Sequence, residues 1–187
     1  MKSLVALALP LLLCTFVPAS DAQTQAKKNQ PIPLYGDPDG YKVLSSVIDA
    51  RTERLKNGSV LIFHHTVSGG VLGEIRAECS SRFPREFQSA LEDFDKKAKA
   101  KLLLQQQFSI RKEYKFVETT VGVQAGIYSM SAVGFDENKT RAVVLVQYLV
   151  RPPGSVILGG DMMFYLLRRT ETGWQTAADV PKCGQIY

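Results

Sequence analysis

The apolar positions of this chain follow three regimes in turn: an unbroken run, then helical spacing, then alternation. The unbroken run is Leu4 to Val17, behind the single positive charge of Lys2. A positive end, an apolar stretch and small residues beyond it mark a secretory signal peptide, expected over residues 1–22. Ser20 and Ala22 stand where a signal peptidase needs small residues, so a cut near Ala22 is expected, with Ala19 as the next choice. The run is shorter than the roughly 20 residues of a spanning helix, and Pro10 interrupts it. Cys14 lacks the small preceding residue of a lipidation site, since Leu11, Leu12 and Leu13 stand before it.

Helical spacing begins after residues 23–38, a Lys- and Pro-containing stretch without a period that is expected to be a flexible linker. Tyr41, Leu44, Val47, Ile48 and Leu55 then recur on one helical face behind Asp39, a candidate cap, and Asn57-Gly58 ends the pattern. Val60 to Val67, rich in β-branched and aromatic residues, predicts a strand closing on Gly69-Gly70. Pro84 opens a second helix whose Phe87, Ala90, Leu91, Phe94, Ala98 and Leu102 form an apolar stripe. Its acidic residues precede Lys96, Lys97, Lys99 and Lys101, the order that the helix dipole favours.

From Ile110 onward the period is two, through Tyr114 and Phe116. Tyr128 to Phe135 and Thr140 to Val150, joined at Asp136 to Lys139, predict a hairpin with a central second strand. Met162 to Arg169 and Trp174 to Ala178 complete an expected antiparallel meander. The fold class is therefore α+β: two amphipathic helices on one face of an antiparallel sheet of five or six strands, forming a single domain over residues 39–187. Phe87, Leu91, Phe94 and Trp174 are expected to share one core. The alternative is a curved sheet around a pocket, like the nuclear-transport-factor-like cone.

Residues Ser131 to Phe135, Thr140 to Val144, Gly159-Gly160, Tyr165 to Leu167 and Gly173-Trp174 form an ordered pattern. It resembles a group of uncharacterised exported bacterial proteins with a VGF strand, a TxA strand, a glycine pair, a yyLL strand and a final GxW. The resemblance covers residues 128–176 and implies an envelope or secreted setting. It carries no activity. In physical terms Gly134, Gly159-Gly160 and Trp174 suit a strand end, a loop and a core position.

Charge changes this picture little, because the formal net charge is only +5. Lys96 to Lys101, Arg111-Lys112 and Arg168-Arg169 are the segments that can build a basic patch. For an exported chain such a patch favours an anionic envelope polymer or a protein partner over nucleic acid. Cysteine count says more. Removal of the leader takes Cys14 away and leaves Cys79 and Cys183, which in an oxidising compartment are expected to pair and so withhold Cys79 as a nucleophile.

His64 and His65 are the only histidines and the remaining candidates for catalysis, with Glu113, Glu118 or Asp161 as carboxylate partner. On a regular strand adjacent side chains face opposite ways, so the two are not expected to share a metal. The serines lack the Gly-x-Ser-x-Gly turn, and no phosphate loop, dinucleotide fingerprint, calcium loop or zinc spacing is present, so no cofactor is expected. Asn57-Gly58-Ser59 and Asn138-Lys139-Thr140 match glycosylation acceptors but suit turns equally well. The function expected is an exported, non-catalytic binding or structural module, periplasmic or secreted. The alternative is a small envelope hydrolase using a His/carboxylate site.

Overall fold

The computed structural model describes residues 31–53, 58–120, 126–151, 159–180 and 182–186. The chain divides into two units, Met1–Pro31 and Ile32–Tyr187, and the second holds every element below. The expected leader, Asn57 and the Pro152-Pro153 loop lie outside the described residues.

Helix α1 spans Pro38–Thr52. Its cap is Asp37 rather than Asp39: the Asp37 carboxylate accepts from the Asp39 and Gly40 N–H groups, each at 3.2 Å. Pro38 takes the first helical position, where its fixed φ fits and its missing N–H costs nothing. The expected linker ends sooner than residue 38. Tyr35 N–H donates to the Leu103 carbonyl and Leu103 N–H to that of Pro33, both at 2.8 Å, and the Tyr35 ring is buried.

Strand β1 (Val60–Val67) leads into α2 (Gly70–Cys79), a helix that the sequence reading did not include. Leu72, Ile75 and Cys79 have helical spacing, but glycine at 69, 70 and 73 obscures it, since glycine is a poor helix former. After a tight turn at Arg85–Phe87, α3 runs over Gln88–Lys97. It stops before Leu102, and residues 102–104 continue as extended chain beside β1.

The remaining strands are β2 (Tyr114–Val117), β3 (Ile127–Ser131), β4 (Gly134–Phe135), β5 (Arg141–Val150), β6 (Gly159–Thr170), β7 (Gly173–Thr176) and β8 (Cys183–Ile186). They form one curled sheet in the order β2-β1-β3-β5-β6-β7, with β4 also on β5 and β8 also on β6. The class is α+β, as expected, but the sheet is mixed. β1 is parallel to both β2 and β3, whereas β3, β5, β6, β7 and β8 pair antiparallel. Parallel neighbours need a crossover of a dozen or more residues, and α2, α3 and the chain behind them supply it.

β5 is central, and its alternation divides the core. Ala142, Val144 and Val146 pack with Tyr41, Val43, Leu44, Val47 and Ile48 of α1, while Val143 and Leu145 pack with Leu72 and Ile75 of α2 and Phe87, Leu91 and Phe94. Helices therefore cover both faces, which is why β5 reads as a continuous apolar run. Two helices on one face was the simpler expectation, and the period-two register of β5 overturns it. Trp174 belongs with α1 and Phe135, not with Phe94. β4 meets α3 so closely that a Cβ on Gly134 would strike the Ala90 carbonyl and the Phe94 backbone, which explains the glycine of the VGF pattern. Where β3 leaves β5, the buried Ser131 hydroxyl continues the pairing by accepting from Leu145 N–H at 2.9 Å.

Candidate functional site

The pairing of β1 with β3 shifts register between Ile62 and Thr66, and the two histidines lie in that irregular stretch. Residues 102–104 take up the pairing on the opposite edge: Leu104 N–H donates to the His64 carbonyl at 2.9 Å, and Thr66 N–H to that of Leu102 at 2.8 Å. The two imidazole rings stand 5.8 Å apart.

His64 stacks on Phe116 of β2, with centroids 4.7 Å apart and an interplanar angle of 26°. Its Nδ1 lies 2.6 Å from Glu118 Oε1, so of the three candidate carboxylates the fold selects Glu118. That hydrogen bond holds the Glu118 carboxyl below its usual range. An ionised carboxylate only accepts, so Nδ1 carries the proton of this bond and Nε2 is the nitrogen that faces away from it. His65 differs, since its Nδ1 is buried and unpartnered. Burial, then the nearby Lys101, push its pKa down.

His64 and Glu118 border an open hollow of about 580 Å³, lined also by Leu34, Leu103, Tyr114 and Phe116 among others. Leu34 is 55% exposed there. A second hollow of about 480 Å³ adjoins it through the shared residues Gln106, Tyr114 and Lys115, and adds Ile110, Arg111 and Lys112. No serine, threonine or cysteine is among the described residues lining either hollow. A further hollow, about 800 Å³, lies between α1 and β7, and its polar groups engage one another. Ser46 donates to the Trp174 carbonyl at 2.6 Å, and Asp49 accepts from Arg111 N–H at 2.9 Å.

Sequence reasoning missed a second cluster around Arg51, on the last turn of α1. Its guanidinium donates to Asp161 Oδ2 and to the Tyr165 hydroxyl, both at 2.7 Å, and lies within 6 Å of three rings: Tyr148 at 5.5 Å, Tyr128 at 5.6 Å and Tyr165 at 5.9 Å. Strand register brings these residues together, because Tyr128 pairs with Tyr148 and Tyr148 with Asp161 across three strands. Gly160, at φ +147°, accommodates the Tyr148 carbonyl where a Cβ would collide. Burial raises the pKa values of the Tyr128 and Tyr165 phenols. Asp161 Oδ1 is buried without a partner. The sequence offers Asp161 only as a carboxylate partner for histidine, because the Asp and Tyr spacing on paired strands becomes a signal once the register is known.

Cys79 and Cys183 form a disulfide with Cα atoms 5.7 Å apart, tying α2 to β8. Cys79 is thus no free nucleophile. Each of the basic segments has a member held in an ion pair. Lys97 pairs with Asp93 and Asp37, Arg168 with Glu86 and Asp179, and Arg111 with Asp49. Among the described residues no helix is long and apolar enough to cross a membrane, and no group of three or more His, Cys, Asp or Glu side chains is placed to hold a metal ion. Comparison with protein-family models, with curated proteins and with solved structures finds no match.

Proposed function

We propose that the mature chain is an exported, non-catalytic binding module of the cell envelope, and that it recognises its partner through the two hollows beside β2. The observation that carries this reading is the meeting of an exposed Leu34, the Phe116 and Tyr114 rings and the His64–Glu118 pair in one open, concave surface. Apolar walls with a few convergent polar groups are the ordinary composition of a recognition site. The leader pattern and the buried disulfide support export into an oxidising compartment, as does the resemblance of the C-terminal strands to exported proteins.

The test is capture from an envelope fraction by the oxidised mature protein, beside Phe116→Ala and Leu34→Ser. Wild type should retain a partner that both variants release. Equal capture by all three proteins would sink the reading. Intact mass of the exported protein should also show residues 1–22 removed.

The His64–Glu118 geometry favours one alternative, hydrolysis. A carboxylate that fixes the proton on Nδ1 leaves Nε2 free to take a proton from water as a general base. Turnover of envelope esters or amides that His64→Gln abolishes, with melting temperature unchanged, would favour the enzyme over the binding module.

A further inference from the structure

Resting on the reading of the β2 groove as a recognition surface, we propose that its ligand is an extended acidic polypeptide segment, which adds to the sheet as a strand on the outer edge of β2.

β2 ends the sheet, and among the described residues no strand pairs with its outer edge. On the inner edge Val60 N–H donates to the Glu113 carbonyl at 2.8 Å, and Tyr114 pairs with Val60 and Phe116 with Ile62. By the alternation of a parallel ladder, Glu113, Lys115 and Val117 turn their backbone groups towards β1. Tyr114 and Phe116 therefore turn theirs outward, offering two N–H donors and two carbonyl acceptors to an incoming backbone.

The other terminal strand is unlike it. The outer side of β7 is taken by α1, through Ser46 and the Trp174 carbonyl.

The side chains along the β2 edge select the occupant. Arg111, Lys112 and Lys115 line the second hollow beside one acid, Glu113, and Arg111, whose side chain is 79% exposed, keeps Asp49 at 3.9 Å as its ionic partner. That border suits acidic side chains. In the first hollow Leu34, Leu103 and Phe116 supply the apolar surface for a side chain of the same strand. Lys115 at the middle of a four-residue edge also opposes pairing with a second copy, which would set lysine against lysine. A glycan would use the hollows but leave the backbone groups of Tyr114 and Phe116 unused, and this is why the polypeptide is favoured.

The experiment is an amide NMR titration of the oxidised mature protein with three capped nine-residue peptides. One alternates glutamate and valine. One alternates lysine and valine. The third is the acidic peptide with alternate backbone amides methylated. Soluble peptidoglycan fragments serve as a fourth probe. The acidic peptide should shift the Tyr114 to Val117 amides and slow exchange at Tyr114 and Phe116. Charge reversal, backbone methylation or Lys115→Glu should each weaken binding about tenfold or more, a difference of about 1.4 kcal/mol.

Shifts by peptidoglycan fragments in the groove with none by the acidic peptide would overturn the strand proposal and leave the binding module standing. Concentration-dependent pairing of β2 with a second copy would overturn it in favour of self-association. Silence of the groove towards all four probes would overturn it too. If Phe116→Ala then also leaves envelope capture intact, the underlying reading falls with it.

Discussion

The two faces of the sheet are built from equally buried aliphatic residues but differ in what else they carry. On the α2/α3 face the core of Phe87, Leu91, Phe94, Leu145 and Phe164 is apolar, and the disulfide closes it. On the α1 face the core grades into polar groups at both extremes: Arg51, Asp161 and three tyrosines at one, the His64–Glu118 pair and the groove at the other. This second face accepts the cost of desolvating charges and, among the described residues, leaves the outer edge of β2 without a paired strand.

The comparison breaks most sharply at Phe94, which is buried against Phe164 with ring centroids 5.4 Å apart. Phe94→Ala should cost about 3 to 5 kcal/mol through the lost transfer energy and the cavity it leaves. Urea unfolding of the oxidised protein measures this. A loss below about 1 kcal/mol would mean that this face is not the rigid half.

Removing the cross-link by replacing Cys79 and Cys183 with alanine should cost about 2 to 4 kcal/mol, since 104 positions separate the two residues and the open chain gains much freedom on unfolding. Denaturation curves of the double variant decide it. The same variant should keep binding at the groove, because the disulfide lies on the other face. Loss of binding at full folding would couple the faces.

Arg51→Leu tests the polar face. It leaves the Asp161 carboxylate without its charged donor and the Tyr165 hydroxyl without a partner, and should cost about 2 kcal/mol. Adding Asp161→Leu should recover part of that loss, since removal of both charges abolishes the uncompensated one. No recovery in the double-mutant cycle would show that Arg51 acts through its packing against the rings.

Much of the fold was legible, and the reasons divide the same way. β5 announced itself as central by its apolar run, Asp136 to Lys139 by turn chemistry, and the disulfide by counting cysteines. What failed depended on long-range order. The parallel placement of β1 beside β2 and β3 is a matter of topology, and α2 was hidden by its glycines. Trp174 was assigned to the wrong face because the strand's phase relative to β6 is fixed only by pairing. At the candidate site, His64 and His65 were visible as residue types. The choice of Glu118 was not, because β1 and β2 lie far apart in sequence and only their pairing brings His64 and Glu118 together. The Arg51 cluster draws on α1, β3, β5 and β6, and no local spacing announces it.

The smallest expected effect is a pH dependence that sharpens the contrast between the two histidines. His65 is held below the ordinary histidine pKa, mainly by burial and then by Lys101, with His64 acting in the same direction and Glu118 against it. Its folded state therefore favours the neutral ring, while the unfolded chain takes up a proton near pH 6.5. The stabilisation is present above that value and is lost as pH falls from about 6.5 towards the lowered folded pKa. Asp39, Glu86, Glu118, Asp136 and Asp179 are held below their ordinary values by basic partners and hydrogen bonds. Their contributions persist until pH drops through about 4 and are lost only below it. Between pH 7.5 and 5.5, His65 should thus account for a modest fall in the urea midpoint that His65→Gln reduces, although the carboxylates remain charged in both proteins. A midpoint that falls equally in both proteins would assign the dependence elsewhere. A midpoint rising towards acid in the wild type alone would mean that the His65 ring gains, rather than loses, by protonation in the fold.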